Sequence, residues 1–474
     1  MPTALRRRPL DRLRRLGSGR SSPRAVLVVM CVGYFLVLLD VTIVNVALPK
    51  IGAGIGASVS GLQWVVDGYA LTLAALMLAG GTVGDLSGHK RVVLSGLVVF
   101  GLGSLGCAVA PSVGVLVAAR VVQGVGAALL LPGTLAIISH AYPEGPQQAR
   151  AIGIWAGIGS LALPAGPLLG GALIDGFGWR TIFFINVPIV AASLVAGIAI
   201  VQESADPKGR RLDVRGVVLG VLTLLAITFA FIDAGRSGAG SPAVIAAAVA
   251  GVLLLSAFIV AERARGDDAM LPLALFRRPA FSVANGAAGT MNLGTLGTLF
   301  VLTLFLQSVQ HHSPLIAGLS IVPLFAPLAV IAPFAGRLTS RIGSRLPVAV
   351  GLAVAGAGLA LLATAEAGSA FSALLPAFLL WGIGLGILTP AVVAAAIAAV
   401  PGERAGLASA INNTSRQAGG AIGIAVAGAV AGQPGSPGFL SGFHAVAVGS
   451  ACLYVVAAVL GLALIPGQIA PRLD

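Results

Sequence analysis

Long apolar stretches recur along the whole chain, and short polar segments that hold most of the charges separate them. Many of these stretches are near the ~20 residues that a helix needs to cross a bilayer core. Strands of a membrane barrel are ~10 residues long and alternate in polarity, so the pattern favours helices. Fourteen membrane-spanning helices are predicted, at about 25–48, 62–84, 92–110, 113–139, 151–174, 181–201, 214–232, 242–261, 280–307, 314–335, 346–364, 370–400, 406–431 and 442–465.

The composition excludes a soluble protein. Of 474 residues, 57% are apolar and 9% are charged, and the mean hydropathy is +1.00. An average soluble domain carries about 25% charged residues. In a membrane, the 65 glycines and 27 prolines indicate close helix contacts and tolerated kinks. The three cysteines lie in predicted spans without zinc-ligand spacing, so no metal and no cofactor are predicted.

The Lys and Arg residues fall on alternate loops. Counted with a cytoplasmic N-terminus, 24 of the 29 lie on the inner side, three lie on the outer side, and two, Arg120 and Arg416, lie within spans. Positive charge is enriched in cytoplasmic loops, so both termini are predicted to be cytoplasmic. The net charge of +13 then reflects orientation and contact with anionic lipid, and nucleic acid is not expected as a partner.

A short internal repeat divides the predicted helices. Gly81, Gly88 and Lys90 after the second span correspond to Gly336, Gly343 and Arg345 after the tenth span, with Ser340 where the first copy has Asp85. Parallel repeats about an axis along the membrane normal are one known transporter design. The expected order is a basic cytoplasmic tail (1–24), a six-helix bundle (25–203), an inserted helix pair (204–265) and a second six-helix bundle with a short tail (266–474).

Several motifs in this order resemble the major facilitator superfamily, and within it the fourteen-spanning drug:proton antiporters. The motifs are Leu39, Asp40, Thr42, Asn45 and Pro49; Gly81, Asp85, Gly88, Lys90 and Arg91; Arg120, Gln123, Gly124 and Gly126; Gly159, Gly166, Pro167, Gly170 and Gly171; Trp179, Arg180, Asn186 and Pro188; and Asn412, Asn413, Arg416 and Gln417. The resemblance covers essentially the whole chain. It implies an all-helical integral membrane fold with two six-helix bundles.

Three charged residues inside predicted spans are candidates for proton coupling. Asp40 and Arg120 lie at nearly the same predicted depth, and a buried carboxylate costs ~2.5–3.5 kcal/mol, so each favours the other as a partner. Protonation of Asp40 would release Arg120, although the alternative is a fixed ion pair that ties two helices together. Asp67 follows Trp64 by three residues, an arrangement that suits a lipophilic cation. The alternative there is an interfacial Trp with a solvated carboxylate.

Further polar residues are predicted to line a substrate cavity. They are Asn45, Trp64, Gln123, Asn285, Asn292 and Arg416. Asn285 and Asn292 are seven residues apart, hence on one helix face. Arg416 lies near the middle of its predicted span, where it would contact an anionic group of the substrate, pair with a helix C-terminus or join the two bundles.

The resemblance also implies a conformational gate. Gly81, Asp85, Gly88 and Arg91 would connect the two bundles on the cytoplasmic side in the outward-open state. Gly166, Pro167 and Gly170 in span five are typical of antiporters, and small residues there permit tight helix contact. Ordinary helix packing and membrane orientation are the plainer interpretations of these residues.

The resulting prediction is a proton-driven antiporter that exports amphipathic small molecules such as drugs, antibiotics or lipophilic cations across a bacterial cytoplasmic membrane. The chain has no phosphate-binding loop for ATP and no loop long enough for an enzyme domain. Protons, one small substrate and the lipid bilayer are the expected partners, and a monomer is expected. The alternatives are a dedicated exporter of one self-made metabolite, a proton-coupled importer, and a receptor or scaffold that does not transport.

Overall fold

A computed structural model describes residues 22–142, 145–204, 212–266 and 269–467. Regular structure in these residues is helical, as expected for a chain that must satisfy its backbone hydrogen bonds without water. The long helices are α1 (Pro23–Ile55), α2 (Val59–Ser87), α3 (His89–Ala108), α4 (Val113–Ala141), α5 (Pro146–Phe177), α6 (Asn186–Ile200), α7 (Val214–Ser237), α8 (Pro242–Arg265), α9 (Pro279–Leu304), α10 (Pro314–Ile342), α11 (Arg345–Leu362), α12 (Phe371–Ala398), α13 (Ala405–Ala431) and α14 (Phe439–Leu464).

Each predicted span overlaps one long helix, and most helices run past the predicted ends. The helix α1 continues through Pro49 to Ile55, because helix ends follow capping and packing as well as the apolar boundary. Hydropathy predicted only the part of α1 from about residue 25 to residue 48. A one-turn helix, Thr181–Phe184, precedes α6, and a π-helical turn, Phe305–Val309, continues α9. The basic tail up to Arg20, together with Lys208, Arg210, Arg211 and Arg472, lies outside the described residues.

Thirteen helical segments in the described ranges are long and apolar enough to cross a membrane. The remaining long helix, α13, is not among them, and it carries the polar run from Asn412 to Gln417. It is nevertheless held between other helices, because it packs along α9 and α2. The count of thirteen or fourteen spans therefore depends on how this one polar helix is classified.

The helices pack in two matching sets. Within the first six, α1 packs on α5, α2 on α4, and α3 on α4 and α6. Within the last six, α9 packs on α13, α10 on α12, and α11 on α12 and α14. Shifting each number of the first set by eight gives the second set. The short sequence repeat thus extends to the packing of whole helices, as in transporters with parallel repeats.

The two sets meet mainly where α5 packs on α10 and α2 packs on α13, and α1 also touches α9 and α10. The helices α7 and α8 pack on each other, and α7 also contacts α2 and α13. Only 22% and 17% of the apolar windows of α7 and α8 are buried, against 72% for α2 and α9. The apolar side chains of α7 and α8 therefore face the lipid, whereas those of α2 and α9 form the interior.

A cluster of charged residues joins the ends of α7 and α8. Asp213 accepts a hydrogen bond from the Gly216 amide at the start of α7 and pairs with Arg265 at the end of α8. Although burial acts to raise the pKa of Asp213, the bonds from Gly216, Arg265 and the Met270 amide lower it below its usual value. The buried Glu262 accepts a hydrogen bond from the Leu271 amide at 2.6 Å, which ties the pair to the segment before α9.

Candidate functional site

Asp40 lies in the middle of α1 and is almost fully buried. One of its carboxylate oxygens accepts a hydrogen bond from the guanidinium of Arg120 on α4. The other accepts a bond from the Gln123 amide nitrogen at 2.7 Å, one turn further along α4. Both oxygens of the buried carboxylate are thereby satisfied, as a charge in this environment requires. The structure thus brings together Asp40 and Arg120, which were predicted to meet.

Arg120 is also held by two groups of a further helix, α2. Its Nε donates to the Val65 carbonyl of α2 at 3.0 Å, and its Cζ lies 4.3 Å from the centre of the Tyr69 ring. The Tyr69 hydroxyl donates to the Val37 carbonyl on α1 at 3.1 Å. A cation over an aromatic face is stabilised by the ring quadrupole, more so when it is desolvated. Arg120 therefore has a fixed position even apart from Asp40.

The network continues away from Asp40 into α3 and α6. Gln123 donates to the Ser104 hydroxyl at 3.0 Å, and Asn186 donates to the same hydroxyl at 3.4 Å. Gln123, which was predicted to line the substrate cavity, thus lies inside the network around Asp40. Tyr69 and Ser104 were missed in the sequence. The sequence did contain a signal for both residues, because each is a polar residue within an otherwise apolar predicted span.

A narrow cavity begins beside this network and reaches the second set of helices. Arg120 and Tyr69 form part of its wall on one side, and Gln417 and Ile424 of α13 form part of the opposite wall. The other lining residues are Val41, Asn45, Val66, Ala70, Leu73 and Leu296. The charged pair is therefore next to the interface that must rearrange if the two sets of helices move.

Asp67 occupies a different environment from Asp40. It is fully buried, and within the described part of the chain neither carboxylate oxygen has a hydrogen-bond partner. One turn earlier, Gln63 donates to the carbonyls of Ile424 and Ala425 on α13. Trp64 packs against Phe229 of α7, with ring centres 6.4 Å apart. Neither Asp67 nor Trp64 is among the residues that line the cavity.

The predicted cavity residues of the second set are divided between two environments. Asn285 is buried, and its side-chain oxygen faces the Asn412 amide at 3.4 Å across the contact between α9 and α13. Asn292 and Arg416 are partly exposed. The Nε of Arg416 has no hydrogen-bond partner among the described residues. Arg416 interacts electrostatically with Tyr34 of α1.

The gate residues after α2 contact only their own set of helices in the described structure. Asp85 is half-exposed and pairs with His89 at 3.2 Å. Arg91 pairs with Glu203 after α6 at 3.6 Å. Gly88 adopts a φ of 99°, and a Cβ there would collide with Glu203, so a larger residue is disfavoured. An added Cβ on Gly81 would meet Pro132 of α4.

The glycines of α5 permit two close helix crossings. Cβ atoms on Gly166 or Gly170 would overlap Thr42 and Ile43 of α1, directly after Asp40. On the other side, a Cβ on Gly318 of α10 would lie 2.2 Å from the Pro167 carbonyl oxygen. Span five therefore links the helix that carries Asp40 to the second set. Gly318 was not predicted, because only the contact with α5 shows its importance.

Three polar contacts join the two sets near one end of the molecule, and we call them the outer contacts. Gln63 donates to α13 as described above. Gln307 after α9 donates to the Val46 carbonyl of α1 at 2.8 Å. The Leu315 amide of α10 donates to Asp175 of α5 at 3.1 Å. This end corresponds to the predicted outer side.

The family model of the Major Facilitator Superfamily matches residues 30–424 and, in a second match, 286–472. The chain is also 38% identical over 398 residues to the multidrug resistance protein Stp of Mycobacterium tuberculosis, covering 84% of this chain and 74% of that protein. The chain belongs to the major facilitator superfamily. The predicted resemblance is thereby confirmed, and the protein is a multi-pass transporter of the cell membrane.

Two further matches illustrate the range of this superfamily. The tetracenomycin C resistance and export protein of Streptomyces glaucescens is 34% identical, over 86% of this chain and 76% of that protein. The crystal structure of the nucleoside transporter NupG matches with a TM-score of 0.68 at 12% identity, over 93% of this chain and 100% of that one. At this low identity, the second match supports the fold alone.

Proposed function

We propose that this transporter is a proton-coupled antiporter that exports amphipathic small molecules from the cytoplasm by alternating access. The observation that carries the proposal is the buried carboxylate of Asp40, held by Arg120 at the wall of a cavity between two matching sets of helices. Coupling of proton binding to transport requires a titratable group whose partner borders the interface that moves. Asp40 and Arg120 fulfil these two roles in the proposal. The names of the relatives, a multidrug resistance protein and an antibiotic resistance and export protein, support drug-like substrates.

The proposed architecture has fourteen spans, with α1–α6 and α9–α14 as the moving bundles and α7–α8 as an inserted pair. The matching packing of the two sets supports this division. Both termini are proposed to be cytoplasmic, as the distribution of Lys and Arg indicates. With this orientation the outer contacts close the extracellular side, and Asp85 and Arg91 lack partners in the second bundle among the described residues. The conformation is therefore proposed to face inward.

In this conformation Asp40 is proposed to be deprotonated, because its ion pair with Arg120 needs the carboxylate. Substrate enters the cavity from the cytoplasm at this stage. After the bundles rock outward, a proton from the extracellular side neutralises Asp40 and weakens its hold on Arg120. The freed guanidinium changes the charge of the cavity wall, and the substrate leaves. Each net charge that moves through a potential of 100 mV contributes ~2.3 kcal/mol to the cycle.

Asp67 is proposed to be protonated in the inward-facing conformation. A carboxylate without a hydrogen-bond partner in a dry contact is strongly disfavoured in its charged form, so the buried Asp67 is expected to be neutral while the outer contacts are closed. Opening of the contact between α2 and α13 would expose it to the extracellular side. Because its proton would exchange with the extracellular side alone, the protonation of Asp67 would follow the conformation of the protein and add no proton to the net coupling through Asp40.

The test is transport by the purified chain in liposomes with an imposed pH gradient. The panel contains ethidium and the antibiotics named in the relatives. Asp40→Asn is expected to abolish accumulation driven by the gradient but to retain exchange of substrate across the membrane, because the cavity remains. Asp233→Asn is the matched control. It removes a carboxylate that pairs with Arg236 at 3.4 Å at the end of α7, away from the cavity.

The outcomes separate the alternatives. Accumulation by Asp40→Asn at the wild-type level would remove Asp40 from the coupling mechanism. Uptake of the substrate along with protons would identify an importer. Transport of a single member of the panel would favour a dedicated exporter. Absence of flux for every member would contradict the export of drug-like molecules.

A further inference from the structure

Arg416, halfway along α13, is a cation that has no counter-ion among the described residues. The described residues offer it neither a hydrogen bond nor an ion pair, and its Nε is buried without a partner. The neighbouring residue Gln417 lines the cavity between the bundles, and the side chain of Arg416 is partly exposed. An unpaired charge in such a place is costly, and charged groups at this depth usually face a partner or a ligand. The missing partner is an anion.

An aromatic pair on the first set of helices lies near Arg416, which interacts electrostatically with one of its members, Tyr34. Tyr34 of α1 and Trp155 of α5 stack with ring centres 3.9 Å apart and planes 18° from parallel. Both rings are partly exposed. Tyr34 lies on the same face of α1 as Val41 and Asn45, seven and eleven residues further on, and both of these line the cavity. Tyr34 therefore lies on the cavity-facing side of α1, beyond the residues that line the cavity itself.

The position of the aromatic pair depends on a glycine. A Cβ on Gly159, one turn after Trp155 on α5, would lie 2.1 Å from the Tyr34 ring. The ring of Tyr34 can thus lie flat against α5 only because residue 159 has no side chain. Gly157, two residues earlier, has nothing within 4 Å of an added Cβ. Gly159 and Gly157 therefore form a matched pair for mutation. An added Cβ would displace the Tyr34 ring at position 159 and would contact nothing at position 157.

We infer that Tyr34, Trp155 and Arg416 form the substrate site, and that it takes planar aromatic molecules with an acidic group. The aromatic part stacks on the open face of the Tyr34–Trp155 pair, and the anionic group pairs with Arg416 from the other bundle. A lipophilic cation could use the rings but is repelled by Arg416. The substrate would bridge α1 and α5 to α13, and it would thereby bias the relative position of the two bundles.

This inference rests on the proposed transport function but can be measured without a proton gradient. Binding of naphthoate, naphthamide and naphthylmethylammonium to the purified chain in lipid nanodiscs is followed at neutral pH by quenching of tryptophan fluorescence. These probes share one ring system and differ in charge. Naphthoate is expected to bind about tenfold or more tightly than naphthamide, since one charge-assisted pair is sufficient for that difference. The naphthylmethylammonium ion is expected to bind most weakly.

The variants separate the anion site from the aromatic site. Arg416→Gln is expected to lose the preference for naphthoate while it keeps the wild-type affinity for naphthamide, which also reports that the site is intact. Arg416→Lys should recover part of the preference. Gly159→Ala is expected to weaken all three probes by displacing Tyr34, whereas Gly157→Ala should leave their affinities unchanged. A saturated decalin carboxylate should bind more weakly than naphthoate, since it cannot stack.

The inference is overturned if naphthoate and naphthamide bind equally, if Arg416→Gln retains the preference, or if none of the three probes binds up to its solubility limit. These outcomes differ from a failure of the transport proposal. Binding of naphthoate without any flux driven by a pH gradient would contradict proton coupling alone. Gradient-driven flux of ethidium by a chain that does not bind naphthoate would contradict the substrate class alone.

Discussion

The two bundles share one packing arrangement but treat charge in opposite ways. In the first bundle, Asp40 and Arg120 satisfy each other within a network that Gln123 completes. In the second bundle, Arg416 has no ionic partner among the described residues. It lies on α13, the helix that is equivalent to α5 of the first bundle. Protonation of the carboxylate would weaken a paired charge, whereas an unpaired charge is available to a ligand. The comparison supports the two proposals, which place proton chemistry in the first bundle and part of substrate recognition in the second.

The largest test of this difference removes each arginine in turn. Arg120→Met should destabilise the protein by about 3–5 kcal/mol, because it leaves the buried Asp40 without its counter-ion. Arg416→Met should be neutral or stabilising, because no carboxylate in the described part of the chain pairs with it. The measurement is the free energy of unfolding of both variants in the same detergent. Equal losses would contradict the distinction between a paired and an unpaired charge.

A second comparison concerns the amides that support the two regions. Gln123→Ala removes bonds to Asp40, Ser104 and Arg120, and it should cost about 1.5–3 kcal/mol, as for hydrogen bonds to charged groups. Asn412→Ala removes longer contacts at 3.4–3.5 Å and should cost less than about 1 kcal/mol. Denaturant titration of each variant gives the two values. A larger loss for Asn412→Ala would reverse the expected order.

A third test addresses the contacts through which the bundles hold each other closed. Gln63 and Gln307 each donate to backbone carbonyls of the opposite bundle, and each bond contributes about 0.5–1.5 kcal/mol. Gln63→Ala and Gln307→Ala should therefore shift the equilibrium severalfold toward the outward-facing state. Spin labels at the exposed Val109 and Ala367, on the two bundles, should report a greater population of long distances. Unchanged distance distributions in both variants would show that these bonds do not hold the outer side closed.

The smallest expected effect concerns α7 and α8, where the buried Asp213 pairs with the partly exposed Arg265. The pKa of Asp213 is lowered in the folded protein, so its stabilising contribution is complete above the unfolded pKa of about 3.9. It is lost as the pH falls through the lower folded value. Asp213→Asn should cost about 0.2–1 kcal/mol at neutral pH, because Arg265 is partly exposed. The difference in unfolding free energy from the wild type should vanish in acid, and a difference that grows in acid would have the wrong sign.

Much of the site was visible in the sequence as polar residues in apolar stretches. Asp40 and Arg120 were matched by depth alone, and the structure places them in contact. Gln123 was expected at the cavity but belongs to the network, because depth along a helix does not give the direction of the side chain. Trp64 and Asp67 were grouped by sequence spacing, yet Trp64 packs on α7 while Asp67 is buried without a described partner.

The sequence by itself determined that the chain is helical, that it belongs in a membrane and which superfamily it resembles. These properties follow from the length and polarity of local segments and from motifs read in order. Apart from Asp40 and Arg120, the polar and aromatic groups that meet became visible in the tertiary structure alone. The pairing of Tyr34 with Trp155, the electrostatic interaction of Tyr34 with Arg416, and the crossing of Gly318 over Pro167 join residues that are far apart in the chain. Such contacts depend on how whole helices cross, and no local pattern records that geometry.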